Sequence, residues 1–377
     1  MNRLVSPLAG VRVLDFSTLL PGPLASLLLA EAGAEVTKVE RIGTGDEMRG
    51  YSPRLDDESA IFCLLNRGKK SLEIDLKEPR AVERLQPLLA QTDILIEQFR
   101  PGVMERLGLG YDQLHAAYPR LIYCSITGFG QSGPRAQFAG HDLNYMAISG
   151  VLSLTCGADG APTLPHAPIA DIAGGSYPAV MNVLLALIAR DRTGQGSHLD
   201  IPMTENLFTL AYWGLAQGYA AASWPQPAGG LVTGNSPRYQ IYACAGGGHV
   251  AAAPIEERFW RRFCELLDLD PKLRVAHADP AAVTRAVAAI IASRSASHWK
   301  SVFEREDVCC CLVSSLQEAV HDQHFRERGL FDYRVGGQSA IPALPIPVVS
   351  QFRSPEIARG APRLGADNLP EGESGSR

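Results

Sequence analysis

The stretch that decides the fold runs from residue 11 to residue 40 and reads VRVLDFSTLLPGPLASLLLAEAGAEVTKVE. Residues 11–16 form a short apolar run of the kind that makes a buried strand, and residues 36–40 are predicted to be the next strand. Between them, residues 24–32 have the composition of a helix that ends at Gly33. A strand, a helix and a strand in this order predict a β-α-β unit with a right-handed crossover.

The same alternation continues towards the middle of the chain. Strands are predicted at residues 71–76, 93–97 and 121–127, and helices at 79–91 and 102–107. Strands that alternate with helices predict a mainly parallel sheet covered on both faces. Longer helical patterns follow at 142–152 and 173–190, and the apolar composition of the second predicts a buried helix.

The second half of the chain has a different pattern. Residues 219–237 are rich in Gly, Pro and Ser, which is typical of a linker. Strand-like runs at 239–243 and 249–253 are joined by three glycines at 246–248, a hairpin signal. Helical patterns at 256–267, 280–293 and 296–304 complete a smaller α+β domain.

Composition narrows the class of protein. The chain has 377 residues, a net charge of −5, 46% apolar residues and 20% charged residues, so bulk disorder is excluded and about two globular domains are expected. The mild acidity gives no reason to expect a nucleic-acid or membrane partner. No Cys-x-x-Cys pair, secretory signal or full membrane span is apparent, and a soluble, cytoplasmic protein is predicted.

The segment GFGQSG at residues 128–133 spells G-x-G-x-x-G after a strand. Pro134 and Arg135 follow it, and no amphipathic helix opens there, as a dinucleotide site would require. The segment therefore predicts a tight loop that brings the backbone close to a ligand.

Two further features could serve a phosphate-bearing ligand. The loop LPGPL, from Leu20, lies between the first strand and its helix, where free N–H groups could face a phosphate, although a plain helix start with proline fits equally well. Lys38 and Arg41 close the second strand, NRGKKS occupies residues 66–71, and Arg100 follows a later strand. Together these cations could hold a polyphosphate, although a lone Arg would be an ordinary surface charge.

Two titratable residues stand at predicted helix starts. His141 precedes Asp142 in GHDLNY, and Asp171 lies in ADIAGGS before the apolar helix. Each could be part of ordinary helix capping. A carboxyl group entering an apolar helix would also be partly desolvated, which raises its pKa and suits acid–base chemistry.

Taken together, these segments resemble the family III CoA-transferase superfamily and, within it, the α-methylacyl-CoA racemases. The resemblance covers most of the chain and includes DILIEQFRPGVMERLGLGYD, PRLIYCSITGFGQSGP, RTGQGSHLDIPM and IEERFW. GHDLNY carries the similarity to the racemase branch, with ADIAGG and IEERFW in support.

The resemblance implies roles for individual residues. His141 and Asp171 would be the catalytic pair, and Glu256, from the same or the other protomer, would orient the histidine. Lys38 and Arg100 would contact the phosphates or adenine end of CoA. The loops with Leu20 and with Asn66, Arg67 and Lys70 would lie near the same cofactor portion. The CoA moiety of an acyl-CoA substrate is the only cofactor expected, and no metal is required.

The resemblance also implies an architecture. Two ring-like protomers would interlock in a homodimer, each with a Rossmann-like large domain built from both chain ends. The predicted boundaries are 1–195 with 325–377 for the large domain, 196–237 for the linker and 238–324 for the small domain.

Two reactions remain open at this point. A 2-methylacyl-CoA racemase of lipid and fatty-acid metabolism would invert the α-carbon by two-base proton transfer through an enolate, with N–H donors from the turn at 171–174. A CoA-transferase would instead use Asp171 as a nucleophile that forms an aspartyl-CoA thioester. Ile172 stands where racemases usually carry Phe, and LDIPMTEN (199–206) lacks their acidic-glycine ending. A catalytically silent CoA-binding protein is disfavoured by the presence of His141, Asp171 and Glu256 together.

Overall fold

The computed structural model describes residues 6–157, 160–337, 339–354, 356 and 358–369. The chain divides into two compact units, unit 1 with residues 1–149, 165–208 and 324–377, and unit 2 with residues 150–164 and 209–323. The predicted domain boundaries differ from this division at two places. Residues 150–164 fall in unit 2, and the segment 196–237 is shared between the units.

Unit 1 contains a six-stranded parallel sheet, which confirms the predicted α/β class. The first eight strands are β1 Arg12–Asp15, β2 Glu35–Glu40, β3 Arg54–Leu55, β4 Glu58–Ser59, β5 Lys70–Glu73, β6 Ile94–Glu97, β7 Ile122–Thr127 and β8 His198–Pro202. The sheet order is β5-β2-β1-β6-β7-β8, and β3 pairs with β4 in a separate ribbon. Every residue of β6 and β7 is buried, as expected for central strands covered on both faces.

Helices cover this sheet. They are α1 Pro21–Glu31, α2 Ala60–Asn66, α3 Ala81–Leu89, α4 Val103–Arg106, α5 Tyr111–Ala117, α6 Asp142–Ile148, α7 Tyr177–Thr193 and α8 Met203–Asn206. One core joins the sheet to α3 and α5 through side chains such as Leu85, Leu95 and Leu114. Because α6 ends at Ile148, the prediction of a helix to residue 152 was four residues too long.

The strand β8 corrects the prediction that residues 196–237 form a linker. Its sequence HLDIP reads as polar, yet it pairs in parallel with β7, with Ser125 opposite Asp200. Its partner lies about seventy residues earlier in the chain, so local periodicity could not reveal the pairing. As a result, the segment that follows β8 is anchored at the edge of the sheet.

The apolar helix predicted over residues 173–190 begins earlier than expected. Ala170–Ser176 is a π-helix, and α7 continues from it to Thr193. By length and composition alone, Ala170–Thr193 is apolar enough to cross a membrane, a criterion that core helices of soluble proteins also meet. One side of α7 packs on α1, β7 and β8, and the buried residues include Ala179, Val183 and Ala186.

The strand order reverses between β1 and β6, which creates a crevice at their carboxyl ends. The chain after β1 leads through residues 17–20 into α1, and the chain after β6 leads through Gln98 to Arg100. The fold therefore places the LPGPL loop and Arg100 at the edge where open α/β sheets bind ligands.

Unit 2 is an α+β unit around a three-stranded antiparallel sheet. Its elements are α9 Tyr212–Ala221, β9 Gln240–Ala243, β10 His249–Ala252, α10 Glu257–Leu266, α11 Pro280–Ala292, α12 Ala296–Phe303, β11 Cys310–Leu312 and α13 Leu316–Val320. The order is β11-β10-β9, and Gly246–Gly248, all with positive φ, form the predicted hairpin. Its core contains Trp260, Phe263 and Trp299.

The chain then passes through α14 Gln323–Glu327 into a small sheet formed by β12 Arg334–Val335, β13 Ile341–Pro342 and β14 Ala358–Arg359. Residues up to 369 return to the large sheet, where Asp367 Oδ2 accepts the Ser71 N–H at 2.9 Å. The C-terminal segment therefore closes unit 1 against β5.

Candidate active site

Asp171 lies in the π-helix Ala170–Ser176, which packs against α1, α6 and α8. It occupies the first turn of this helix, and the N-cap is Ile169, so the interpretation of Asp171 as an N-cap was wrong. Single turns of π-helix are rare and occur often at functional sites, because the wider turn moves a side chain away from its α-helical direction. The sequence had predicted an ordinary helix here.

The protonation of Asp171 is shifted towards neutral pH. Burial disfavours the charged carboxylate and, together with the negative charge of Asp142, raises the pKa of Asp171 from 3.8 to about 7. This is the desolvation expected for an acid at the start of an apolar helix. At neutral pH the group can therefore either accept or donate a proton.

His141 lies at the N-cap of α6 and is exposed. Its backbone N–H donates to Asn144 Oδ1 at 3.0 Å. Asp142, the next residue, accepts the backbone N–H of Asp171 on Oδ1 at 3.0 Å. The structure thus links the two predicted catalytic residues through Asp142, which ties the start of α6 to the turn that carries Asp171.

Tyr145 is a site residue that the sequence analysis did not assign. It is 7% exposed, and its hydroxyl donates to the carbonyl of Gly140, the residue before His141. A Cβ on either Gly128 or Gly140 would collide with the tyrosine ring, so both glycines allow this close packing. Burial, and then the charge of Asp171, raise its pKa to about 12, while Arg100 opposes the shift. Tyr145 therefore joins the G-x-G-x-x-G loop to the histidine.

Backbone N–H groups of the turn at 171–174 were expected to bind an enolate oxygen. The Asp171 N–H donates to Asp142, and the Ile172 N–H donates to the Pro168 carbonyl at 3.2 Å. For these two residues the expectation was wrong, because their donors already have protein acceptors.

The LPGPL loop shows why one of its two interpretations is favoured. Pro21 and Pro23 have no N–H, the Gly22 N–H donates to Gln98 Oε1 at 3.1 Å, and the Leu24 N–H donates to the Leu20 carbonyl at 2.9 Å. A plain helix start with proline at its first position explains these contacts. A contact between the loop of Leu20 and CoA stays a prediction, and it would not use these backbone N–H groups.

The predicted CoA-binding cations fall into two groups. Arg41, Lys70 and Arg100 are exposed, whereas Lys38 and Arg67, like the neighbouring Asn66, are at most 1% exposed. Arg41 pairs with Glu47 at 3.1 Å, and Lys70 pairs with Glu35 at 2.6 Å.

Within the described part of the chain, no ion pair is recorded for Arg100, which follows β6 at the carboxyl edge and acts on the pKa of Tyr145. Its position fits the predicted contact with the CoA portion of a substrate.

The buried cations hold the fold together. Lys38 Nζ pairs with Asp46 at 2.9 Å and donates to the Ser17 carbonyl at 2.6 Å. Arg67 pairs with Glu31 at 2.7 Å and donates to the carbonyls of Leu64 and Leu344. Since buried charges must be paired, these side chains are enclosed scaffolding, which corrects the prediction that they contact CoA directly.

Asn66 is buried in the same way. Its Nδ2 donates to the Phe62 carbonyl at 3.1 Å, and its Oδ1 accepts from Lys69 Nζ at 2.7 Å. Both ends of the amide thus have protein partners, and the proximity of its loop to CoA stays a prediction. The sequence placed this residue near a loop correctly but could not show that the side chain points inwards.

Glu256 lies in unit 2 at the N-cap of α10 and is exposed. Its side chain makes no capping hydrogen bond, so the carboxylate is available to a partner. Its proposed action on His141 stays a prediction.

The G-x-G-x-x-G segment forms the predicted tight loop. Thr127 Oγ1 accepts the Gly130 N–H at 2.9 Å, and Asp200 Oδ2 accepts the Gln131 N–H at 2.9 Å. Thr204 Oγ1 donates to the Gly128 carbonyl at 2.6 Å. The segment around β8, which the sequence analysis treated as a linker, therefore positions this loop.

Glu97 is a second carboxyl group with a raised pKa. Burial raises its pKa to about 7, and its Oε2 accepts the Phe99 N–H at 2.8 Å. Since it is only 4% exposed at the end of β6, it is less able than Asp171 to meet a substrate. In the described residues, no three His, Cys, Asp or Glu side chains converge in a way that could hold a metal ion.

Comparison with known proteins identifies the family of this chain. Residues 8–368 match the CoA-transferase family III. The chain belongs to this family. It is 34% identical to mouse α-methylacyl-CoA racemase over 362 residues, which cover 95% of the chain and 90% of the racemase. It is also 31% identical to mouse succinyl-CoA:glutarate CoA-transferase over 373 residues, covering 96% of the chain and 84% of the transferase.

A solved structure supports the same placement. The CAIB/BAIF family protein from Brucella suis has a TM-score of 0.82 and 27% identity, with 97% of each chain covered. Relatives of this family III chain thus include both racemases and CoA-transferases. The chain therefore belongs to a family of enzymes that catalyse more than one reaction.

Proposed function

We propose that this protein is a racemase or epimerase of 2-methylacyl-CoA thioesters. The observation that carries the proposal is the Asp171 carboxyl group, which has its pKa raised to about 7 and whose turn is tied by Asp142 to the helix capped by His141. A two-base inversion needs an acid and a base that can exchange roles, and both must be poised near working pH.

The proposed reaction breaks one C–H bond and forms another. For one enantiomer, ionised Asp171 removes the α-proton, and the electron pair delocalises onto the thioester oxygen as an enolate. Protonated His141 then delivers a proton to the opposite face. For the other enantiomer the two groups exchange roles. General acid–base catalysis supplies about 10²–10⁴-fold, so stabilisation of the enolate must supply much of the remainder.

The CoA portion of the substrate would bind at the carboxyl edge of the sheet. Arg100 provides an exposed cation there, and Arg41 provides another at the end of β2. Arginine suits phosphate because its guanidinium presents several donors in one plane. Glu256 is proposed to orient His141, either from the same protomer or from a second copy.

The test is isotope exchange at the α-carbon. Incubation of (2R)-2-methylacyl-CoA in D₂O should give deuterated product of both configurations, detected by mass spectrometry and chiral separation. Failure of 2-methylacyl-CoA thioesters to exchange, together with movement of CoA to a free carboxylic acid, would reject the racemase proposal.

Transfer of CoA between carboxylic acids is the second candidate. It is supported by the 31% identity to succinyl-CoA:glutarate CoA-transferase and by the departures from the racemase pattern at Ile172 and at residues 199–206. In that reaction the Asp171 carboxylate attacks the thioester and expels CoA thiolate, which leaves an acyl anhydride. The thiolate then attacks the aspartyl carbonyl and displaces the donor carboxylate, which gives an aspartyl-CoA thioester. An acceptor carboxylate reverses these two steps and takes the CoA. Hydroxylamine or borohydride trapping at Asp171 after addition of acyl-CoA distinguishes this candidate.

The pH dependence of deuterium exchange at the α-carbon should follow the ionisation of Asp171. Because its pKa is raised to about 7, the enantiomer whose proton Asp171 removes should react faster as pH rises through 7. The opposite enantiomer requires the protonated carboxyl group, so this limb should fall above pH 7. Initial rates of deuterium incorporation for each enantiomer from pH 5 to 9 measure both limbs. A limb near pH 4 in place of pH 7 would contradict the assignment.

A homodimer is part of the proposal. The outer face of α7 carries a continuous apolar stripe, with Tyr177, Met181, Leu184, Leu185 and Ile188 between 40% and 57% exposed. A second copy is the occupant we infer, since an equivalent stripe on each copy can pair symmetrically and Arg190 and Arg192 end the apolar segment.

Charged substitutions on this stripe should separate the copies. We expect Leu185→Glu combined with Ile188→Glu to convert a dimer into a monomer, because two carboxylates from each copy would be buried at the interface. Sedimentation measures the mass, and Leu316→Glu, at a 74% exposed position in unit 2, is the control that should stay dimeric. A monomeric unaltered protein at micromolar concentration would reject the dimer.

A further inference from the structure

The carbonyl group of Gly174 lies three residues after Asp171 within the π-helix. In a π-helix a carbonyl accepts the N–H of the residue five positions later, as the Ile172 carbonyl does from Tyr177. Pro178, four positions after Gly174, has no N–H and cannot supply the α-helical alternative. The Gly174 carbonyl therefore lies near the end of the π-helix, where the backbone passes into α7, close to the proposed catalytic carboxyl group.

The side chain of Asn206 supplies a donor. Its Nδ2 lies 2.8 Å from the Gly174 oxygen. Asn206 is the last residue of α8, and this short helix meets the π-helix so closely that a Cβ on Gly174 would collide with the carbonyl of Met203. The contact is thus an amide hydrogen bond between two tightly apposed backbones, both in unit 1.

A second hydrogen-bond donor holds the end of the same turn. Ser176 Oγ donates to the Pro21 carbonyl at 2.8 Å and lies 3.1 Å from the Asp171 carbonyl. The turn from Asp171 to Ser176 is therefore attached to α1 at one point and to α8 at another. Asn206 holds the middle of the turn through its hydrogen bond to the Gly174 carbonyl.

We propose that Asn206 is a positioning residue for Asp171, acting through the Gly174 carbonyl to keep the π-helical turn in the geometry that reaction requires. It does not contact the reacting atoms. The inference rests on the proposed role of Asp171 as the reacting carboxyl group, which racemisation and CoA transfer share.

Asn206→Ala is the main test, and Glu205→Ala, at an exposed position next to it, is the matched control. We expect Asn206→Ala to lower kcat about three- to thirtyfold with KM changed less than twofold, because the loss is in alignment and not in binding. Hydrogen exchange of peptides covering residues 170–179 should become faster in Asn206→Ala only. The exchange comparison uses the protein without substrate.

Faster backbone hydrogen exchange in Asn206→Ala with unchanged kcat would overturn the positioning role. A lower kcat with unchanged backbone exchange would also overturn it, and so would an equal effect of Glu205→Ala. If the unaltered protein neither racemises 2-methylacyl-CoA nor transfers CoA, the proposed function fails. Unchanged backbone hydrogen exchange in Asn206→Ala would separately overturn the role of Asn206.

Discussion

Replacing Asp171 by asparagine should reduce turnover by at least about 10³-fold, whichever of the two reactions the protein catalyses. The amide has nearly the same shape as the carboxyl group but can neither accept the α-proton nor attack a thioester. CoA binding should persist, since Arg100 and Arg41 are unchanged. Deuterium exchange, CoA transfer and binding of CoA by calorimetry measure the three properties separately.

The same substitution should increase stability, and the increase should depend on pH. Asp171 has its pKa raised to about 7 in the folded protein, above the ordinary 3.8, so the folded state opposes ionisation of this group. The resulting loss in the free energy of unfolding is absent below pH 4, grows between pH 4 and 7, and reaches its full value above pH 7. Thermal unfolding of Asp171→Asn and of the unaltered protein should therefore differ more at pH 8 than at pH 5. An equal difference at both values would contradict the raised pKa.

Replacing His141 by alanine has the second largest expected effect, and it separates the candidate reactions. In a two-base racemase, this change should reduce inversion by about 10²–10⁴-fold. Asp171 would still remove the proton that faces it, so one enantiomer should continue to exchange with D₂O without inverting. In a transferase the change should leave CoA transfer largely intact.

The control for this experiment is His277→Ala, an exposed histidine of unit 2. It should leave both exchange and inversion unchanged. If His141→Ala continued to invert the α-carbon at the original rate, the two-base mechanism would be untenable, even if Asp171 proved essential.

Much of the fold could be predicted from local patterns. β6 and β7 are mainly apolar because central parallel strands are buried on both faces, and β1 and β2 were predicted from their strand-helix-strand order. The hairpin at Gly246–Gly248 was predicted because three consecutive glycines tolerate positive φ. β8 escaped prediction because its stability comes from pairing with β7, a contact between residues distant in sequence.

The candidate site was predictable in residue type but not in geometry. GHDLNY and ADIAGGS identified His141 and Asp171, and the apolar helix after Asp171 predicted desolvation. The π-helical turn was missed, although Pro178 was the local signal that could have suggested an irregular backbone. The hydrogen bonds of Tyr145 to Gly140 and of Asn206 to Gly174 could not be predicted, since they depend on carbonyl groups outside their own helices.

The basic residues show where sequence reasoning stops. Lys38, Arg67 and Arg100 all lie in or near predicted strands and all carry a positive charge. The sequence analysis therefore assigned all three to CoA binding. In the folded chain Lys38 and Arg67 are enclosed with Asp46 and Glu31, whereas Arg100 is exposed. Which cation meets solvent depends on where strands and helices place acidic partners.

The amino-acid sequence alone determined the alternation of strands and helices and the presence of one imidazole and one carboxyl group at helix starts, because both are properties of neighbouring residues. Only the tertiary structure decided that the pKa of Asp171 is raised to about 7 and that Asp142 links its turn to α6. The same is true of the hydrogen bond from Asn206 to the Gly174 carbonyl. Burial, charge proximity and hydrogen bonding between distant segments set these properties, and each exists only when the chain is folded.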